Sequence, residues 1–212
     1  MLVAIAGGHG KIALLLAREL RERGDEVRSL IRNPDHAEDV REAGAEPVVC
    51  DLEHEDPETV AEAVRGADAV VFAAGAGPGS GPERKWTMDH GGAVTLIEAA
   101  KQAGVSRYVI VSSMRADPEA PGDDTFAVYL RAKGQADADL AASGLDYTIV
   151  RPTGLTDDPG TGNVRVGENL QSGEVSRADV AGFIAAALHE PSTVGRTYDL
   201  VAGDRPIEQA AR

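Results

Sequence analysis

The residues best equipped for chemistry fall in two groups far apart in the chain. Near the amino end, Gly7-Gly8-His9-Gly10 interrupts an apolar run and gives the spacing Gly7-x-x-Gly10-x-x-Ala13. Missing β-carbons let the backbone approach a ligand, and a helix opening behind such a turn offers free amides and a positive dipole end, which suit a pyrophosphate. Much later, Tyr129-Leu-Arg-Ala-Lys133 sets a phenol and an ammonium four residues apart, on one face of a helix. A phenol with a pKa of about 10 is a poor proton carrier at neutral pH, and a neighbouring cation improves it by favouring phenolate. Ser113, in Ser112-Ser113, has a hydroxyl suited to hold the oxygen that Tyr129 protonates or deprotonates.

Both groups need elements to position them. Leu2 to Ala6 has no polar face, as in a strand buried on both sides. From Ile12 the apolar residues Ile12, Leu15, Leu16 and Leu20 recur at helical spacing until Gly24, a natural C-cap. Strand, glycine turn and helix follow one another directly, and this context favours the ligand reading over a tight connection that binds nothing. Strands are predicted at Glu26 to Ile31, Glu46 to Leu52, Asp68 to Ala74, Tyr108 to Ser112, Tyr147 to Val150 and Thr197 to Val201. Helices are predicted between them: a short polar one through Ala43, then Pro57 to Val64 capped by Asp56, about Thr87 to Gln102, about Thr125 to Ala142, and one from the capping box Ser176-Arg-Ala-Asp179 to about His189.

Repeated βαβ units demand a parallel sheet with helices on both faces, so the expected fold is α/β, a doubly wound parallel sheet of Rossmann type in one domain over 1–212. The last part, about 153–212, holds the acidic loop Thr156 to Gly162 and is too small for a second domain. It reads as a lid and sheet extension over the ligand.

Composition narrows the partners. A formal net charge of −14 argues against nucleic acid, which asks for a basic face. Cys50 is the only cysteine, which excludes an intrachain disulfide, fits a reducing compartment and reads as a small core residue. The strand starts directly after Met1 and no run reaches membrane-span length, so the expectation is a soluble, cytoplasmic protein without a membrane partner. No His/Cys/Asp/Glu group has metal-ligand spacing, and no metal is expected.

In a doubly wound sheet ligands bind beyond the strand ends. Arg32 follows the second strand in Ile31-Arg32-Asn33-Pro34, where an NAD-binding chain carries an acid for the ribose hydroxyls and an NADP-binding chain an arginine for the 2′-phosphate. This reads as NADP(H). Asp51-Leu52 is placed to meet the adenine, or Asp51 caps the next turn. Ala73-Ala74-Gly75 offers small residues where the backbone passes the cofactor ribose, or simply packs closely. His9 and His90 lie near strand ends as possible site contacts, and Trp86 either walls a substrate pocket or anchors a helix.

Together Gly7-Gly8-His9-Gly10, Ile31-Arg32-Asn33-Pro34, Gly66-Ala-Asp68, Val111-Ser112-Ser113, Tyr129 with Lys133, Ser143-Gly-Leu-Asp-Tyr-Thr-Ile-Val-Arg-Pro152 and Val175-Ser-Arg-Ala-Asp-Val180 resemble the atypical short-chain dehydrogenase/reductases, in particular the YhfK-like and NmrA-like NAD(P)H-binding groups related to NAD-dependent epimerases and dehydratases. The resemblance spans nearly the whole chain. It implies that Gly7, His9, Gly10, Lys11 and Ile12 line the pyrophosphate turn, that Ser113, Tyr129 and Lys133 match the catalytic serine, tyrosine and lysine, that Ser112 lies on the cofactor, and that Arg151-Pro152 lies near the nicotinamide. Asp89 stands where larger members carry asparagine, and an anion there would pair with Lys133 and weaken its pull on Tyr129. The implied function is hydride transfer between NADP(H) and a small carbonyl, quinone or flavin-like acceptor, a small-molecule substrate. A non-catalytic NADP(H)-sensing regulator of the NmrA-like kind is the alternative, and a nucleotide-sugar epimerase or dehydratase comes third. Oligomeric state is not legible.

Overall fold

A computed structural model describes every residue except Pro78, which falls within the glycine-rich stretch that follows the fourth strand. The strands are β1 (Leu2–Ala6), β2 (Glu26–Ile31), β3 (Glu46–Val49), β4 (Ala69–Phe72), β5 (Arg107–Val111), β6 (Asp146–Pro152), β7 (Gly154–Thr156), β8 (Asn163–Gly167), β9 (Glu174–Ser176), β10 (Arg196–Ala202) and β11 (Arg205–Pro206). The helices are α1 (Lys11–Glu22), α2 (Ala37–Glu42), α3 (Pro57–Val64), α4 (Pro82–Arg84), α5 (Ala93–Ala103), α6 (Thr125–Ala142), α7 (Arg177–His189) and α8 (Ile207–Ala210).

One sheet of order β11-β8-β10-β6-β5-β4-β1-β2-β3 runs through the molecule. From β3 to β10 all neighbours are parallel, whereas β8 lies antiparallel to β10 and β11 antiparallel to β8. The strand order reverses between β1 and β4, the position where a doubly wound sheet opens a crevice at its carboxyl edge. Each face carries its own apolar layer. Leu16 and Leu20 of α1 meet Phe183 and Ile184 of α7 over one face, and Val60 and Val64 of α3 meet Leu96 and Ile97 of α5 over the other. Truncating any of these to alanine would cost about 2–5 kcal/mol.

The caps follow the sequence. Asp56 accepts the Thr59 amide at 2.8 Å ahead of α3, Ser176 accepts the Asp179 amide at 3.0 Å ahead of α7, and Gly24 closes α1 with φ +88°. Two regions depart from expectation. The helix predicted from Thr87 starts at Pro82 and passes through a π-helix, Lys85–Gly92, before becoming α5. The segment after residue 153 extends the main sheet as expected, with β10 over the predicted last strand, but also brings β8 and β11, for which no strand was predicted, and a separate pair, β7 with β9.

Candidate functional site

The crevice beyond the carboxyl ends of β1, β2, β4 and β5 consists of two adjoining lobes, of about 440 and 820 Å³, that share Ala73, Ala74, Gly75 and Gly77. The smaller lobe holds the glycine turn. Gly7 has φ +77°, and a β-carbon there would sit 2.6 Å from the Ala74 Cα; one on Gly8 would sit 2.5 Å from the Ser29 Cβ. These two positions therefore require glycine. Gly10 precedes α1 without any side-chain cap, so the first-turn amides stay available to an anion. A cradle that a β-carbon would fill, ahead of an uncapped helix, fits a dinucleotide pyrophosphate.

The turn's other neighbours are basic. His9 and His36 stack with ring centroids 3.6 Å apart, and His9 Nε2 lies 2.7 Å from Asp39 Oδ2. Arg32 and Asn33 line the same lobe, with the Arg32 guanidinium 3.6 Å from Glu53 and otherwise open to solvent. Glu53 also accepts from Arg84 at 3.2 Å and from the Thr87 hydroxyl at 2.5 Å. Burial works against ionisation of Glu53, but the Thr87 and Arg84 contacts prevail and hold its carboxyl below the usual range. Asp51 behaves alike: burial is outweighed by His54 and by the Glu53 amide. Ligand atoms of Asp51, Glu53 and His54 converge within 4.8 Å. This spacing corrects the expectation that no such cluster exists; within it His54 Nδ1 lies 2.9 Å from Asp51, and the Glu53 carboxylate accepts from Arg84 and Thr87.

The larger lobe is lined by Ile12, Lys85, Asp89, Ser112, Thr125, Phe126, Tyr129, Lys133 and Leu155 among others. Lys133 is almost fully buried. Its ammonium donates to the Val111 carbonyl at 3.1 Å, lies 3.4 Å from Asp89 Oδ1, and stands 5.4 Å from the Phe72 ring centroid. The other oxygen of Asp89 accepts the Ala76 amide at 3.2 Å. Asp89 thus pairs with Lys133 and pins the glycine-rich segment that begins at Gly75. Behind Ser112, Asp137 accepts from the Ser112 hydroxyl and from Arg151, both at 2.8 Å. Burial pushes the Asp137 carboxyl up, against the pull of Arg151 and Ser112.

The remaining expected residues stand as follows. Gly7, His9, Gly10, Arg32, Asp51 and Leu52 line the smaller lobe, and Ala73, Ala74 and Gly75 line both. Ser113 lines neither; its hydroxyl donates to the Met114 carbonyl at 3.3 Å, whereas Ser112 faces the crevice. Pro152 also lies outside both linings, and the Lys11 ammonium reaches away to Asp157 at 2.5 Å. Trp86 borders neither lobe and meets His90 edge-on at 5.7 Å, while His90 lies 2.7 Å from Asp139. Of the stretches 76–88, 114–124 and 153–172 expected to wall a substrate pocket, the first contributes Arg84 and Lys85 and the last Leu155, whereas 114–124 lines neither lobe; His36 and Phe126 are lining residues with no such expectation. Phe126 stands one turn before Tyr129, a spacing from which it could have been found.

Comparison with known proteins bears on this geometry. Residues 7–191 match a family model described as NAD(P)H-binding. The uncharacterized sugar epimerase YhfK of Bacillus subtilis is 38% identical over 213 residues, covering 100% of this chain and 99% of that protein. The solved structure of a Bacillus halodurans protein, named as a candidate NAD-dependent epimerase/dehydratase, superposes with a TM-score of 0.92 at 37% identity, covering 100% of this chain and 98% of that one. ChuY, an anaerobillin reductase from Escherichia coli O157:H7, gives a TM-score of 0.81 at 27% identity, covering 96% of this chain and 98% of its own. With the glycine cradle and the crevice already in place, the chain belongs to the NAD(P)H-binding family of Rossmann proteins.

Proposed function

We propose that the protein is an NADP(H)-dependent oxidoreductase that passes hydride to a small carbonyl, quinone or flavin-like acceptor in a reducing, cytoplasmic setting. The observation that carries the reading is the division of one crevice into a phosphate-binding lobe with Arg32 at its rim and a roomier lobe holding Tyr129 and Lys133. The cofactor, when bound, supplies the hydride. Gly7, Gly10 and the first turn of α1 hold its pyrophosphate, Arg32 its 2′-phosphate, and Ala73 to Gly75 let its ribose pass close to the main chain. Tyr129 gives a proton to the acceptor oxygen as the hydride reaches the adjoining atom, so a carbonyl leaves as an alcohol. Lys133 supports the phenolate side of that exchange through its position one turn along α6. Ser112 lines the lobe with its hydroxyl committed to Asp137, so Tyr129 alone meets the acceptor oxygen there. The stretch 153–172, represented in the lobe by Leu155, closes over the acceptor.

Arg32→Ala tests the cofactor half. Loss of a charged hydrogen-bonding partner is expected to weaken NADPH binding about tenfold or more and leave NADH unchanged. Equal losses for both coenzymes would remove the NADP(H) assignment.

The buried Lys133–Asp89 pair favours a second reading, a non-catalytic NADP(H) sensor, because an anion beside Lys133 offsets the charge that Tyr129 would use. NADPH oxidation against a panel of quinones, flavins, aldehydes and ketones separates the two. Turnover on any of them sinks the sensor reading, and a silent panel sinks the reductase.

A further inference from the structure

The smaller lobe holds two histidines for which the hydride chemistry has no use. His9, in the glycine turn after β1, and His36, in the turn that leads from β2 into α2, face each other with ring centroids 3.6 Å apart and planes 11° from parallel. Both line the lobe, so the stack bridges the pyrophosphate turn and the rim where Arg32 and Asn33 stand. The two rings are held unequally. His9 Nε2 lies 2.7 Å from Asp39 Oδ2, whereas the ring nitrogens of His36 meet no hydrogen-bond partner among the described residues. The His36 imidazole is half-buried, lines a lobe built for phosphates and keeps its polar atoms for a ligand.

Charge decides how such a pair behaves. Imidazole is the side chain that gains and loses a proton between about pH 5 and 8. Two charged rings at this separation repel, so a proton held on His9 by Asp39 opposes a second one on His36. Arg32, in the same lining, adds to that opposition. The surrounding elements do little to relieve it. Asp35 and Glu38 flank the pair along the chain and are exposed, Lys11 at the start of α1 is drawn away to Asp157, and Asp51 across the lobe is engaged by His54. A phosphate at the rim reverses the balance, because it neutralises Arg32 and holds the second proton on His36 by a charge-assisted hydrogen bond.

We propose that His36 is a second ligand of the coenzyme's 2′-phosphate, beside Arg32, and that binding of NADP(H) loads a proton onto the His9–His36 stack. The inference rests on the NADP(H) reading above. By linkage, a ligand that brings a proton with it binds less well as pH rises. The His36 contribution is complete where that ring is already charged and fades as pH climbs past the imidazole range. Preference for NADP(H) over NAD(H) is therefore greatest on the acid side of neutrality.

Calorimetric titration of the full-length protein at pH 7, in two buffers of different ionisation enthalpy, measures proton uptake directly. About half a proton per NADP⁺ bound is expected, and none per NAD⁺. Between pH 6.5 and 8.5, above the phosphate's own second ionisation at about pH 6, NADP⁺ affinity is expected to fall about fivefold while NAD⁺ affinity holds.

His36 caps α2 with no side-chain hydrogen bond, so His36→Asn leaves that helix its own contacts. In this variant the uptake should vanish, and NADP⁺ should lose about fivefold in affinity at pH 6.5 but under about twofold at pH 8.5. Arg32→Ala removes a charge that does not titrate in this range and should weaken NADP⁺ at both values. Equal affinities for NADP⁺ and NAD⁺ at every pH would remove the NADP(H) reading and this inference with it. A preference for NADP⁺ without proton uptake, or an uptake unchanged in His36→Asn, would leave that reading standing and overturn the inference alone. Equal uptake with NAD⁺ would also overturn it, by moving the proton to the pyrophosphate.

Discussion

The two lobes of the crevice are both rich in glycine, for opposite reasons. At Gly7 and Gly8 the hypothetical β-carbon collides with Ala74, just past β4, and with Ser29 of β2, so close packing itself forms the wall. At Gly81, in the larger lobe, φ is −70° and no described atom outside its chain neighbours lies within 4 Å of an added β-carbon. The first set is demanded by packing; in the larger lobe Gly77 and Gly79, at φ +80° and +78°, are demanded by backbone conformation, and Gly81 by neither. The ion pairs divide similarly. Arg32 meets Glu53 at a half-exposed rim, whereas Lys133 and Asp89 are enclosed. The smaller lobe is therefore dictated by how the glycine turn packs on the sheet, and the larger lobe by one enclosed ion pair, with room to vary around Gly81.

The sharpest way to break this comparison is through the enclosed pair. Asp89→Ala strands a buried ammonium, and we expect it to lower unfolding free energy by about 3–5 kcal/mol in urea titration. A loss under about 1 kcal/mol would mean that Lys133 finds solvent and the two ends are less distinct than described. Next comes Tyr129→Phe, expected to cut turnover by about a hundredfold or more while leaving the NADPH dissociation constant in place. A parallel loss of NADPH affinity would tie Tyr129 to the cofactor lobe instead. Gly8→Ala and Gly81→Ala then compare the two kinds of glycine directly. The first should cost about 1–3 kcal/mol and the second less than about 0.5 kcal/mol, read from paired denaturation curves.

The smallest effect concerns Cys50, which reaches the wall of the cofactor lobe from a buried position. Burial, with some help from Glu55, pushes its thiol up to about 12. The unfolded chain releases this proton near pH 9 and the native chain keeps it, so the group subtracts stability as pH rises through that interval. At pH 8 iodoacetamide should label the native protein far more slowly than the urea-unfolded chain. Equal rates would show that the lobe wall opens freely.

Much of this was legible in the residues themselves. The run Leu2–Ala6, the turn at Gly7 and the periodicity from Ile12 specify β1 and α1 locally, and Asp56 and Ser176 announce their helices by side-chain chemistry alone. The π-helix was hidden because its hydrogen-bond register depends on what α6 and the glycine-rich segment do around it. Strands β8 and β11 are short, polar on one side and paired to each other at the sheet margin, so they carry no apolar run. The site shows the same limit. Arg32 and Tyr129 stand out by type and spacing, but the fact that Ser112 faces the crevice while Ser113 turns to Met114 is decided by the exit of β5. Glu53 and Asp137 acquire meaning only from partners distant in sequence.

In the π-helical stretch each amide reaches back five residues, one more than in ordinary winding. Removing a single residue between Lys85 and Asp89 would return the backbone to α geometry and swing the preceding side chains by about 100° relative to those that follow. Lys85 and Asp89 would then no longer serve the same chamber. A length change of one residue, with no alteration of residue type, would thus reshape the wall between the two lobes, since Arg84 and Met88 line one of them and Lys85 and Asp89 the other.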